Sequence, residues 1–337
     1  MRFGIFCTYE NPTRNYKQCF DDQTRLILHA EALGFEEAWV AEHHFNPDAA
    51  SPSILALLAY LAGVTSRIRL GSAAVLLPFR NPIQVAEDVA TIDVLSNGRF
   101  DFGVAKGGPF DLQNRHFNAS KDVSRELTIE ALELVNRLLY EDTVSFAGAH
   151  YQADGVTLTP KPLQKPIPTW IATATPDAIE YAARNGFGIM AASPFPLARV
   201  AQSVDAYRQA APGSDPRLAL ARFYYAAPTR QQALDEAVPF IQRFAERMRG
   251  IFLANGPGPA AAFDPAEMLE RSLIGSYDDV AEKILAIHER VNIGSLLLKP
   301  TTANEANALR SLDDFATIIR PRIAEALSAS KPLEIAS

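Results

Sequence analysis

His43 and His44 follow the apolar run Ala38-Trp39-Val40-Ala41 with only Glu42 between. A strand that passes abruptly into ionisable side chains marks where a parallel α/β enzyme keeps its functional groups, beyond the carboxyl ends of its strands. By themselves the two imidazoles could act as a general base, a metal ligand or a structural hydrogen-bonding group. A metal fits least. Neighbours on a strand face opposite sides, whereas ligands must converge, and no acidic cluster or His-Glu-x-x-His pattern accompanies the pair.

Two further clusters suit an anion. Lys106-Gly107-Gly108 ends a strand-like run that starts at Phe100; lysine beside exposed amides can hold a phosphate, although glycines there also serve simply to turn the chain. Thr173-Ala174-Thr175-Pro176-Asp177 joins another strand to a helix. The first turn of that helix offers unpaired amides and the positive end of the dipole, with Thr175 expected as its N-cap. Arg125, early in another helical pattern, could add a bidentate guanidinium to the same anion.

Positioning these groups falls to a regular alternation of strand and helix patterns. Strands are read at about residues 3–7, 37–41, 68–74, 100–105, 168–172, 187–190, 219–226 and 294–298. Helices are read near 21–33, 52–65, 82–95, 121–140, 176–185, 196–211, 229–249 and 305–327, with an extra one near 276–291. Eight such pairs predict a (β/α)8 barrel, a TIM barrel forming one domain over residues 1–337, longer than the typical ~250 residues. The excess falls in a Gly-rich loop at 106–120 after the fourth strand, a hairpin at 143–165 before the fifth with its turn at Ala147-Gly148, and a Gly- and Ala-rich loop at 250–275 after the seventh. Insertions of this size serve as lids or binding elements. Ser51-Pro52, Asn81-Pro82 and Thr175-Pro176 each predict a capped helix start, and Ser276 with Asp279 a relative of the capping box.

Composition narrows the function. The 337 residues are 48% hydrophobic and 21% charged, and 32 Lys plus Arg against 39 Asp plus Glu leave a formal charge of −7. That balance provides no electrostatic footprint for nucleic acid and points to small-molecule work. Cys7 and Cys19 have neither metal-ligand spacing nor a disulfide framework, which predicts a reducing, cytoplasmic setting. The start of the chain reads directly into a strand without the regions of a secretory signal, and no apolar stretch reaches the length of a membrane span.

The order Leu33-Gly34-Phe35-Glu36-Glu37-Ala38-Trp39-Val40-Ala41-Glu42-His43-His44-Phe45, then Thr65-Ser66-Arg67-Ile68-Arg69-Leu70-Gly71-Ser72-Ala73, then Asn81-Pro82 and Asp93 through Gly103, resembles the bacterial luciferase-like monooxygenase family. The likeness continues through Lys165-Pro166-Ile167-Pro168-Thr169-Trp170-Ile171-Ala172 and returns at Gly275-Ser276-Tyr277. The resemblance implies a barrel that binds reduced FMN made by a separate flavin reductase. It further implies that O2 and a small organic substrate react there through a C4a-peroxyflavin, and that the protein is a homodimer packed through its amino-terminal half. It puts the catalytic role on His43 and leaves His44 in support. It puts the flavin phosphate on Lys106, Arg125 and Thr175, with Gly107, Ala172 and Ala174 beside them, and a non-proline cis peptide beside the flavin at Ser72-Ala73. Lys106 stands where the family has arginine, keeping the charge but losing the planar fork. Ala105 replaces the reactive cysteine of true luciferases and Ala174 an acidic residue, so light emission is not expected. Alternatives are a deazaflavin-dependent reductase or dehydrogenase on the same barrel, and, outside redox chemistry, a barrel hydrolase or a non-catalytic flavin-binding protein; no paired carboxylates or metal cluster support the hydrolase.

Overall fold

The computed structural model describes residues 1–108, 110–117, 122–254 and 263–329. Eight parallel strands close into a barrel: β1 (Arg2–Cys7), β2 (Glu37–Val40), β3 (Arg69–Ser72), β4 (Phe100–Ala105), β5 (Thr169–Ala172), β6 (Gly188–Ala191), β7 (Leu218–Ala227) and β8 (Ser295–Pro300). Each pairs with the next, and β8 returns to β1 with Arg2 opposite Ser295. Strands buried on both faces read as near-continuous apolar runs, which is why the barrel was visible in the sequence. The helices α1 (Tyr16–Ala32), α2 (Ile54–Val64), α3 (Pro82–Leu95), α4 (Ser124–Tyr140), α5 (Pro176–Arg184), α6 (Leu197–Ala210) and α7 (Arg230–Ala254) wrap the outside. The last helical run, Glu305–Asp314, passes through a π-helical turn at Phe315–Ile319 into Arg320–Ala329.

The amino-terminal half of the barrel is filled. Trp39 and Trp170 meet edge to face at 5.3 Å, and each fits only because a glycine faces it. A Cβ on Gly71 would lie 2.2 Å from Trp39, and one on Gly188 would lie 2.1 Å from Trp170. Both indole N–H groups reach buried carboxylates, Trp39 donating to Glu37 at 2.8 Å and Trp170 to Asp101 at 3.2 Å. Arg2 and Arg69 pair with those two carboxylates at 2.7 and 2.6 Å. Buried charges require such partners, and the resulting layer closes the bottom of the barrel and leaves its carboxyl end for chemistry.

The insertions hold more structure than expected. The hairpin is present as Val144–Ala147 paired antiparallel with Gln152–Val156. The segment at 106–120 contains a short helix, Asp111–His116, and residues 109 and 118–121 lie outside the described residues. Within 250–275, α7 continues to Ala254, and a helix at Pro265–Arg271 leads into a strand, Leu273–Ser276, that pairs with the end of β7; residues 255–262 lie outside the description.

The helix starts divide. Asn81 accepts from the amides of Ile83 and Gln84, and Ser276 with Asp279 forms a full capping box. Ser51, however, caps nothing: α2 begins at Ile54, because the preceding segment is drawn over the end of β1, where Ala50 donates to Tyr9 at 2.9 Å. The carbonyl of Ser51 instead accepts the His43 amide at 3.2 Å.

Candidate functional site

At the carboxyl ends of β4, β5 and β6 lies a cavity of about 330 Å³. It brings together Ala73, Lys106, Gly107, Arg125, Ala172, Ala174 and Thr175, residues from four separate stretches of sequence. One end is polar. Lys106 is exposed, with no ion pair among the described residues. Gly107 stands at φ +86°, a backbone conformation that only glycine adopts without penalty, and it turns the chain out of β4. Arg125, at the start of α4, has one weak ion pair among the described residues, Nη1 to the exposed Asp177 carboxylate at 3.3 Å, while its Nε is buried with no partner among them. A buried orphan donor is a cost that a bound acceptor would relieve.

Thr175 differs from expectation in how it contributes. It occupies the N-cap position of α5 with Pro176 behind it, but its hydroxyl meets the Thr173 hydroxyl at 3.1 Å and makes no capping bond. The Thr175 amide is taken by Thr173 at 3.2 Å. The first-turn amides of Asp177 and Ala178 are thus left uncapped by a side chain, and the positive end of the helix faces the same space as two cations. Such an arrangement can hold a phosphate.

The other end is apolar. Strand positions that could carry bulky residues carry Ala105, Ala172, Ala219 and Ala221, with Ala73 just past the end of β3, above the layer of the two tryptophans. Small inward side chains on strands leave room for a flat ring system. Ala219, Ala221 and Arg199 had not stood out in the sequence; the alanines on alternate positions of β7 were the available signal. Ser72 does not line this cavity: its hydroxyl donates to the Gly103 carbonyl and accepts from the Gly103 amide, both at 2.8 Å. The cis non-proline peptide lies at Ala73–Ala74, one bond beyond the expected Ser72-Ala73.

A second cavity, of about 480 Å³, shares Phe6 with the first and is walled by residues from β1, β8 and α7. Lys299, buried in its wall, bonds Glu10 at 2.8 Å and lies over the rings of Phe244, Phe223 and Phe240 at 4.9, 5.2 and 5.6 Å. Burial pushes the Lys299 ammonium down, against the opposing pull of Glu10. Burial would raise the Glu10 carboxyl, but Lys299 and Arg247 outweigh it and hold it low. None of these three residues was singled out from the sequence.

His43 is among the lining residues of neither cavity and is only partly buried. Burial, with the positive charges of Lys299 and Arg247, lowers its imidazole to about 4 despite Glu10 and Glu42. It is therefore neutral near pH 7, able to accept a proton but not to carry a standing charge. His44 is tied down differently, at 2.6 Å from the buried Glu42 carboxylate, which also accepts from Arg80 and the Leu76 amide. Among the described residues no group of three or more His, Cys, Asp or Glu is placed to hold a metal ion, and no helix is long and apolar enough to cross a membrane.

Residues 1–291 match the family model of luciferase-like monooxygenase. The oxygenase component of flavin-dependent trigonelline monooxygenase from Acinetobacter baylyi is 30% identical over 56% of this chain and 53% of its own. Among solved structures, monooxygenase RslO1 from Streptomyces bottropensis superposes with a TM-score of 0.83 at 29% identity, covering 95% of this chain and 99% of that one. The oxygenating constituent of 3,6-diketocamphane monooxygenase from Pseudomonas putida, in complex with FMN, superposes at 0.81 with 19% identity, covering 96% and 99%. An F420-dependent secondary alcohol dehydrogenase shares the barrel at 0.76 with 19% identity, covering 96% and 98%.

Proposed function

Because the chain belongs to the luciferase-like monooxygenase family, we propose that it is an FMN-dependent oxygenase that works with a separate flavin reductase on a small organic substrate. The observation that carries this reading is the two-ended cavity: Lys106, the unpartnered Nε of Arg125 and the uncapped start of α5 at one end, an alanine-lined space at the other. The polar end suits the FMN phosphate, and the apolar end suits the isoalloxazine. When bound, reduced flavin supplies the electrons that activate O2. The protein's share is to hold the phosphate, keep water from the ring and provide a neutral base at His43. Substrate is assigned to the second cavity, across Phe6.

The family resemblance also suggests a homodimer, and α2 and α3 expose Tyr60, Val64, Val94 and Leu95 on the amino-terminal half. Sedimentation equilibrium of Tyr60→Glu/Leu95→Glu tests that surface; a dimer unaffected by both charges would remove it.

Titration of FMN and riboflavin separates the phosphate claim from general ring binding. Charge-assisted hydrogen bonds are worth about 1.5–3 kcal/mol, so FMN should bind at least about tenfold more tightly than riboflavin. Arg125→Ala and Lys106→Ala should each shrink that difference. Equal affinity for the two flavins, or tighter binding of a deazaflavin titrated in parallel, would overturn the reading.

A further inference from the structure

The second cavity's wall holds two arginines that its carboxylates engage loosely or not at all. Its carboxylates are already engaged: Glu10 by Lys299 at 2.8 Å, Asp48 by Arg14 at 2.8 Å, Glu305 by Arg25 at 2.6 Å, and Asp22 by the same Arg25. Two guanidiniums are held less firmly. Arg243 and Arg247 stand one turn apart on α7, a spacing that puts both on one face. Arg243, exposed at the rim, has no ion pair among the described residues, and Arg247 pairs with Glu10 and Asp48 at 3.8 Å and lies over the Phe244 ring at 5.3 Å. The Nε of Arg247 is buried with no partner among the described residues. Two more buried polar atoms on residues of the same wall are also orphaned, the amide nitrogen of Gln23 and the amide oxygen of Asn11, whose side chain is otherwise buried.

Native interiors rarely leave such atoms unmet, and several around one cavity point to a ligand. Phe6, Phe240 and Phe244 add an aromatic stretch to a wall that also carries Thr8, Thr13, Thr302 and Asn304. We infer that this cavity binds an organic carboxylate: an apolar body against the phenylalanines and a carboxylate on Arg247 and Arg243. A guanidinium fork matches a carboxylate in two parallel hydrogen bonds, which a lysine or an amide cannot reproduce. Asn11 then favours a ligand that also bears a hydroxyl or N–H donor. The inference deepens the proposed function by giving its substrate a class, and rests on that reading for the word substrate.

The test uses the full chain and two probes of nearly equal shape, 4-phenylbutanoate and its uncharged amide, titrated calorimetrically with and without FMN. The carboxylate should bind about tenfold more tightly than the amide. Arg247→Gln should abolish that preference, Arg243→Gln should reduce it, and Arg247→Lys should restore only part of it. FMN affinity, read on the same variants, reports whether they are folded, since neither arginine lines the flavin cavity. Equal binding of acid and amide, or an intact preference in Arg247→Gln, overturns the inference. Should FMN fail to bind the unsubstituted protein, the flavin reading falls, while the acid-over-amide comparison without FMN still decides this one.

Discussion

Replacing Lys299 by methionine probes an ion pair that sits between the barrel's packing and its chemistry. The substitution keeps an apolar stem among Phe223, Phe240 and Phe244 but removes the charge opposite Glu10. Breaking a buried pair by deleting one partner costs about 3–5 kcal/mol. The low end applies here, because the Glu10 side chain keeps 27% of its exposure and Arg247 stands 3.8 Å away as a second cation. The expected loss is therefore about 3 kcal/mol. Lys299→Met/Glu10→Gln should recover most of it, since a pair replaced on both sides leaves no stranded charge. Trp39 and Trp170, the protein's two tryptophans, are both fully buried, so their fluorescence during urea unfolding reports the barrel directly. The same variant should raise the His43 imidazole from about 4 toward its ordinary range without reaching it, because burial, the largest influence, remains; NMR titration of the ring measures this. A double variant no more stable than the single one would refute the stranded-charge argument, and an unmoved His43 would refute the electrostatic link.

Four other outcomes are expected. His43→Ala should lose product yield per flavin oxidised while FMN affinity is largely retained; unchanged coupling would remove His43 from the chemistry. Because the His43 imidazole titrates near 4 when folded against about 6.5 when unfolded, the unfolded chain binds the extra proton between those values, so its contribution to stability is present above pH 6.5 and lost as pH falls through 4; His43→Gln should flatten that part of an unfolding-midpoint profile. Asn81→Ala should destabilise by about 1 kcal/mol through loss of a true N-cap, whereas Thr175→Ala should have a much smaller effect on stability because its hydroxyl caps nothing, and equal losses in urea unfolding would contradict the geometry. Gly71→Ala should cost about 3 kcal/mol, since its methyl would sit 2.2 Å from Trp39 and overpacked cores lose stability on that scale; a near-neutral result would mean the indole layer yields more readily than its close fit implies.

What could be read in advance follows the range over which each constraint acts. The barrel was legible because its signals are local: apolar strands recur, turns separate them and Asn81-Pro82 announces a helix within two residues. That Lys106, Arg125 and Thr175 would meet at one cavity was largely legible for the same reason, since strand ends in a parallel barrel must converge wherever their residues lie in the chain. Ser51 and Thr175 show the limit, because a capping pattern describes only what a hydroxyl could do: a contact between Ala50 and Tyr9 draws the segment at Ser51 away from α2, and a local bond to Thr173 occupies Thr175. Glu10, Arg247 and Lys299 could not be assembled from any window of sequence. Lys299 carried one visible oddity, a lysine directly after the buried Leu296, Leu297 and Leu298, and a charge that follows such a run needs a partner brought by the fold. That rule extends the reading of His43. A histidine after a strand suggests a base, but how much proton affinity it has is set first by burial and then by charges that include cations more than 200 residues away in the chain, so the chemistry of the motif belongs to the closed barrel and not to the Glu-His-His segment alone.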